Sequence, residues 1–345
     1  MNILVIAPSW VGDMMMSHSL YQQLKQNYPD CEIDVMAPDW CRPLLSRMPE
    51  IRKAISMPIG HGAFRLCKRY QLGKNLQNQY DLAIVLPNSL KSAFIPFFAK
   101  IKQRRGWKGE MRFGFLNDIR HNKNGYPKMV QRYVALAFDN GQIPSAENLP
   151  ISYPYLKVEN SQVEQTLQHF KKQLAYAENR PAIGFCPGAE FGPAKRYPHY
   201  HYAKIAEKLI EQGYSIRLFG SKKDEAVGEA IRSALPEDLQ RYCLNLAGQT
   251  DLNQAVDLIS DCVAVVSNDS GLMHIAAALN RPLVALYGPT SPQYTPPLSE
   301  KAVIIRLIEG GLIKIRKGES AEGYHQSLID IQPEMVLAKL TELLK

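Results

Sequence analysis

No apolar run in this sequence approaches the roughly 20 residues needed to span a bilayer. The longest candidate, residues 89–101, is broken by Lys91, Pro96 and Lys100. Cysteine is scarce: Cys31, Cys41, Cys67, Cys186, Cys243 and Cys262 are scattered with no C-x-x-C pair, which excludes a disulfide scaffold and a zinc ribbon. Met1 to Pro8 has no basic lead or cleavage site and reads as a first strand. A cytoplasmic protein with buried, reduced thiols is expected. Also missing are G-x-x-x-x-G-K, G-x-S-x-G, H-E-x-x-H and D-x-D, so phosphate charge has no dedicated metal cage. His199-Tyr200-His201 lacks a cysteine or acidic partner at useful spacing, and neither a metal nor a cofactor is expected. No low-complexity tract interrupts a chain that is 46% apolar and 21% charged, the composition of a folded protein.

What is present is unevenly placed. The formal charge is +8, yet residues 61–132 hold 15 lysines and arginines against 3 acids. The rest of the chain is net negative. A segregated basic segment suits a phosphorylated substrate, an anionic membrane or nucleic acid. No recognised nucleic-acid fold or aromatic-basic signature accompanies the charge, so nucleic acid is disfavoured. Lys100, Lys102, Arg104 and Arg105 are its candidate acceptor-binding cations.

Strand-like and helix-like runs alternate from end to end, in the pattern of parallel sheets covered on both faces. A proline-rich stretch, residues 141–155, marks a boundary. A polar helix is expected over Glu159–Tyr176, and the next strand at Ala182. The fold class is therefore α/β, with two doubly wound, Rossmann-like domains (1–155 and 156–345) facing across a cleft, the GT-B arrangement. Ligands of such sheets bind beyond the carboxyl ends of the strands.

Two loops fit that rule and a phosphate. Cys186-Pro187-Gly188-Ala189-Glu190-Phe191-Gly192-Pro193-Ala194-Lys195-Arg196-Tyr197-Pro198 joins a strand to a helix through glycines that leave N–H groups free. About 75 residues later Asn268-Asp269-Ser270-Gly271 does the same. A diphosphate-bearing ligand between the two loops is expected. Lys195 adds a point charge, although a solvated lysine is the plain alternative. Gly271 exposes a helix N-terminus, and Asp269 and Ser270 could be only a cap. After another strand, Asp224 and Glu225 compete to hold a ribose, with Glu225 preferred; both also suit a first helical turn. Asp13 opens the first helix, either as its N-cap or as a carboxylate able to take a proton at the mouth of the cleft.

The run "CPGAEFGPAKRYP", with "NDSGLMHIAAAL" and the opening "ILVIAPSWVGDMMMSHSL", resembles the bacterial lipopolysaccharide heptosyltransferases of glycosyltransferase family 9. The first run is most similar to the type II members. The resemblance covers essentially the whole chain. It implies metal-independent inverting transfer of heptose from ADP-heptose to an anionic lipopolysaccharide core acceptor, the first heptose of the inner core, by a protein peripherally bound to the cytoplasmic face of the inner membrane. It also implies Asp13 as general base, and donor contacts from Gly188, Ala189, Lys195, Glu225, Asp269, Ser270, Gly271 and His274. Adenine would lie by Ala247-Gly248-Gln249-Thr250. The terminal helix, 333–345, would return to the first domain. Transfer at another core position and a GT-B sugar-nucleotide epimerase or hydrolase are the alternatives.

Overall fold

Short runs of Ile, Val, Leu and Ala, buried on both faces, form parallel strands, and the polar-flanked segments between them form helices. The computed structural model describes residues 1–60, 62–177, 179–311 and 315–345. Contacts divide it into two units, Met1–Pro154 and Tyr155–Lys345.

The first unit runs β1 (Asn2–Ile6), α1 (Val11–Asn27), β2 (Glu32–Ala37), α2 (Arg42–Leu45), β3 (Ile51–Ser56), α3 (Leu66–Asn75), β4 (Leu82–Val85), α4 (Phe94–Phe98), β5 (Gln103–Trp107), β6 (Asp118–Arg120) and α5 (Met129–Val134). The second has α6 (Asn160–His169), α7 (Lys171–Leu174), β7 (Ala182–Cys186), α8 (His199–Glu211), β8 (Ser215–Leu218), α9 (Glu225–Ser233), β9 (Cys243–Asn245), α10 (Leu252–Ser260), β10 (Ala264–Asn268), α11 (Gly271–Ala278), β11 (Leu283–Leu286), β12 (Ala302–Ile305), α12 (Gln326–Ile329) and α13 (Pro333–Leu344).

Among the described residues the sheets are β3-β2-β1-β4-β5-β6 and β12-β11-β10-β7-β8-β9, paired in parallel throughout. Both have the same winding. Each chain path starts at the centre, moves to one edge, then returns to build the other. The order reverses between β1 and β4 in the first sheet and between β7 and β10 in the second, where doubly wound sheets bind ligands. Val265 pairs with Gly184 and Val266 with Phe185, so the loops after β7 and β10 leave the sheet side by side.

Two features depart from the sequence reading. The short strand β6 was not expected. It closes an edge over Arg105 and Gly106. The polar helix over Glu159–Tyr176 breaks at Phe170, whose ring is drawn into the core, leaving α6 and α7. The terminal helix places Val336 and Leu340 in the core of the second unit, against α8 and β11. The proline-rich stretch is tied to the first unit by backbone acceptors: Ser19 Oγ donates to the Ser152 carbonyl (2.6 Å) and Tyr126 Oη to that of Pro144 (2.9 Å). Five cysteines are buried and Cys67 is exposed. Among the described residues no helix is long and apolar enough to cross a membrane.

Candidate functional site

In the second unit the two glycine-bearing loops flank the β7/β10 switch point. Asn268, fully buried at the end of β10, joins them. Its amide donates to the Pro187 carbonyl (2.7 Å) and its Oδ1 accepts from Tyr197 N (3.2 Å) and Tyr202 Oη (3.1 Å). This side chain fixes the start and end of the Gly188–Lys195 loop relative to Asp269. Sequence reading gave Asn268 no role beyond loop membership, because a buried amide clamp leaves no local signature. A second brace comes from residues 315–325, also unassigned in the sequence. Ala194 N donates to the Arg316 carbonyl (3.2 Å), Arg316 stacks on Phe191 (5.3 Å) and His199 Nδ1 meets Tyr324 Oη (2.9 Å). Gly192, at φ +147°, could not carry a side chain without meeting the Arg316 carbonyl.

Lys195 is not a free surface lysine. Its Nζ lies 2.7 Å from Asp269 Oδ2, with the side chains 17% and 9% exposed. Ser270 is the N-cap of α11 with no side-chain capping bond, so its hydroxyl leaves the first-turn N–H groups uncapped, and Gly271 is the first helical residue. That end presents N–H donors and positive dipole to an anion, with a paired ammonium beside it. His274 is buried one turn in. Burial pushes its imidazole down to about 4; the Asp269 carboxylate opposes this and Lys195 adds to it. At neutral pH His274 is therefore uncharged, able to donate or accept one hydrogen bond.

Asp224 and Glu225 separate cleanly. Asp224 is buried in a capping box, accepting from Ser221 N (3.0 Å) and Ser221 Oγ (2.7 Å), with Arg196 at 3.3 Å. Gly188 passes so close that an added Cβ would stand 2.6 Å from its Cγ. Glu225 starts α9 and, partly exposed, pairs only with the exposed Lys222 at 2.5 Å among the partners observed. It can turn both oxygens to a diol. Gly248 N donates to the Gly220 carbonyl (2.9 Å), which holds the Ala247–Thr250 turn next to this ribose candidate. Ala189 is buried beneath the loop.

In the first unit Asp13 occupies the third position of α1, after Trp10 as N-cap, so the capping alternative does not hold. Burial pushes its carboxyl up to about 6, and a hydrogen bond from Tyr133 of α5 only partly offsets this. A carboxylate poised near neutral pH suits proton abstraction.

The basic segment is less basic at its surface than in its sequence. Arg105, 1% exposed, is paired with Asp118 (2.7 Å) and Asp139 and donates to the Leu136 carbonyl (3.0 Å). It is a structural residue, which corrects its assignment to acceptor binding. Arg104 donates to the carbonyls of Phe115 (2.6 Å) and Ile101 (2.6 Å) and covers the Phe97 ring, so it too is largely committed within the fold. Arg112 is buried among the carbonyls of Pro87 and Trp107. Lys100 and Lys102 remain exposed.

Comparison with known proteins identifies the family and the fold. The family model described as Glycosyltransferase family 9 (heptosyltransferase) matches residues 69–325. The chain is 73% identical over 344 residues to the lipooligosaccharide heptosyltransferase 2 of Haemophilus influenzae, covering 100% of this chain and 99% of the relative. It is 59% identical over 348 residues to the lipopolysaccharide heptosyltransferase 2 of Escherichia coli K12, with 100% and 99% covered. The solved structure of E. coli ADP-heptose lps heptosyltransferase II superimposes with a TM-score of 0.90 at 56% identity, covering 100% of this chain and 98% of that one. The two parallel sheets thus form the GT-B fold expected from the sequence.

Proposed function

This chain belongs to glycosyltransferase family 9, the heptosyltransferases, and from that premise we propose that it transfers L-glycero-D-manno-heptose from ADP-heptose to the first heptose of the lipopolysaccharide inner core. The single observation that carries the donor assignment is the Lys195–Asp269 pair beside the uncapped start of α11. An ammonium, a helix N-terminus and glycine N–H groups together match a diphosphate.

The reaction is an inverting displacement. Asp13 takes the proton of the acceptor hydroxyl. The hydroxyl oxygen bonds to the anomeric carbon as the bond from that carbon to the ADP oxygen breaks. Negative charge grows on the departing diphosphate, where Lys195 and the N–H groups of Ser270 and Gly271 stabilise it. Asp269 orients Lys195 and accepts from heptose hydroxyls. Neutral His274 adds a hydrogen bond without a competing charge. Glu225 holds the ribose diol. Gly188 and Ala189 allow close backbone approach to the phosphates. Lys100 and Lys102 attract the anionic acceptor, and the protein works peripherally at the cytoplasmic face of the inner membrane.

Incubation with ADP-heptose and acceptors truncated at successive core positions, followed by mass analysis, tests this. One heptose should be added only when the first heptose is present and terminal. Addition to an acceptor lacking it would overturn the assignment of position.

A further inference from the structure

Helix α3 lies on α4 with its outer face uncovered. Gly73 makes the close crossing possible, since an added Cβ would stand 2.6 Å from Phe98 Cβ. Around this crossing the aromatic rings join into one cluster. Phe64 meets Phe94 at 5.6 Å, Tyr70 meets Phe98 at 5.2 Å, and Phe97 meets Phe115 at 5.0 Å. Phe94 links them, at 6.1 Å from Phe98 and 4.9 Å from Phe115. Three of these rings are turned outward: Phe64 is 53% exposed, Tyr70 48% and Phe97 38%. Large rings left in water while packed on a rigid base mark an interaction surface.

The charged residues on α3 and just after α4 are all basic. No aspartate or glutamate occurs between Glu50 and Asp81, or between Asp81 and Glu110. Lys68 and Lys74 on α3 are exposed among the rings, and Lys100 and Lys102 follow α4. Lysine is depleted from the cores of protein interfaces, which argues against a protein partner. The rings meet one another edge to face, with interplanar angles of 88° for Phe64–Phe94 and 78° for Tyr70–Phe98. That packing offers no row of parallel faces for stacked bases.

We infer that this face docks on the surface of an anionic lipid bilayer, with Phe64, Tyr70 and Phe97 entering the headgroup layer and the lysines meeting lipid phosphates. The inference rests on the heptosyltransferase reading, which puts the acceptor sugar on a lipid. It goes further by naming which surface of the first unit faces the membrane.

Co-sedimentation of the full chain with vesicles tests it, using phosphatidylcholine alone and phosphatidylcholine mixed with phosphatidylglycerol. Wild type should bind the anionic vesicles, less so as salt rises, and bind the neutral ones weakly. The variant F64S/Y70S/F97S should lose roughly tenfold or more in partition while it stays folded at the assay temperature and its transfer to a deacylated acceptor stays unchanged. The variant K68Q/K74Q should lose roughly fivefold per cation, on anionic vesicles only. Wild type ignoring anionic vesicles, or the ring variant binding them normally, overturns the docking surface. So does a single-stranded oligonucleotide held by the same residues in place of vesicles. Wild type that binds vesicles yet transfers no heptose to the deacylated acceptor sinks the heptosyltransferase reading and leaves the docking surface standing.

Discussion

Lys195 Nζ sits 2.7 Å from Asp269 Oδ2, an ion pair that joins two different loops of the second unit. The pair makes Lys195, the proposed phosphate-binding lysine, part of the second unit's structure. A mobile surface lysine would move freely to its ligand and could be deleted at little cost to the fold. This one is held in place, and its removal strands a mostly buried carboxylate.

Lys195→Ala is therefore expected to fail twice. Loss of a charge-assisted phosphate contact should weaken donor use by roughly 1.5–3 kcal/mol, one to two decades in kcat/KM. The stranded Asp269 should lower stability by about 1–3 kcal/mol. Lys195→Ala combined with Asp269→Asn should recover most of the melting temperature and none of the activity. Thermal melts on the four members of this double-mutant cycle measure the coupling. Zero coupling would mean the pair contributes nothing to the fold.

Neighbouring acids should divide in the opposite way. Glu225→Gln removes a half-exposed carboxylate whose observed partner is an exposed lysine, so stability should hold while affinity for ADP falls about tenfold. Asp224→Ala opens the Ser221 capping box beneath Gly188 and should cost about 1–2 kcal/mol of stability. Calorimetric ADP titration beside thermal melts distinguishes the two. The assignment fails if Asp224→Asn, which keeps the size of the side chain, loses ADP while Glu225→Gln does not.

Arg105→Gln should strongly destabilise the first unit, by about 3 kcal/mol or more, because it takes from Asp118 one of its two buried guanidiniums, leaving Arg120 (2.8 Å), and removes the contacts to Asp139 and the Leu136 carbonyl. Lys100→Gln with Lys102→Gln should leave the unfolding free energy within about 0.5 kcal/mol of wild type and raise KM for the anionic acceptor alone. A soluble, well-folded Arg105→Gln protein would contradict the structural assignment.

These cases show what the sequence could carry. The strands and the two loops were legible because a buried parallel strand needs a continuous apolar run and a phosphate loop needs glycine at fixed places. Both requirements are local. Arg105 was misread because a charge count cannot see that Asp118 and Asp139, 13 and 34 residues further on, converge on one guanidinium. Asn268 was missed for the same reason, its three partners lying 66 to 81 residues away. Phe170 broke an otherwise helical pattern because tertiary burial outweighed local propensity. The aromatic cluster of α3 and α4 left a trace in the run Phe94-Ile95-Pro96-Phe97-Phe98, which reads as core until exposure is measured.

Asp13→Asn separates chemistry from stability most sharply. Burial raises the carboxyl from 3.8 to about 6 in the folded protein. Between those values the folded state holds a proton that the unfolded chain has released. Stability from this group is thus greatest at low pH and is lost as pH rises to about 6. At pH 7 the ionised carboxylate should cost the fold on the order of 2–3 kcal/mol. Asparagine, uncharged at every pH, relieves that cost. The favourable effect of an acid in the first turn, about 0.3–1 kcal/mol, is lost but is smaller. Asp13→Asn should then melt higher than wild type at pH 7 and converge with it below about pH 4. Transfer should fall by about 10²–10⁴, since asparagine cannot take the acceptor proton, while ADP-heptose binding persists. Wild-type kcat/KM should itself decline below about pH 6 as Asp13 becomes protonated. A variant that is more stable and inactive is the signature of a catalytic base held at a cost to the fold. Near-normal turnover in Asp13→Asn would leave the transfer without its base.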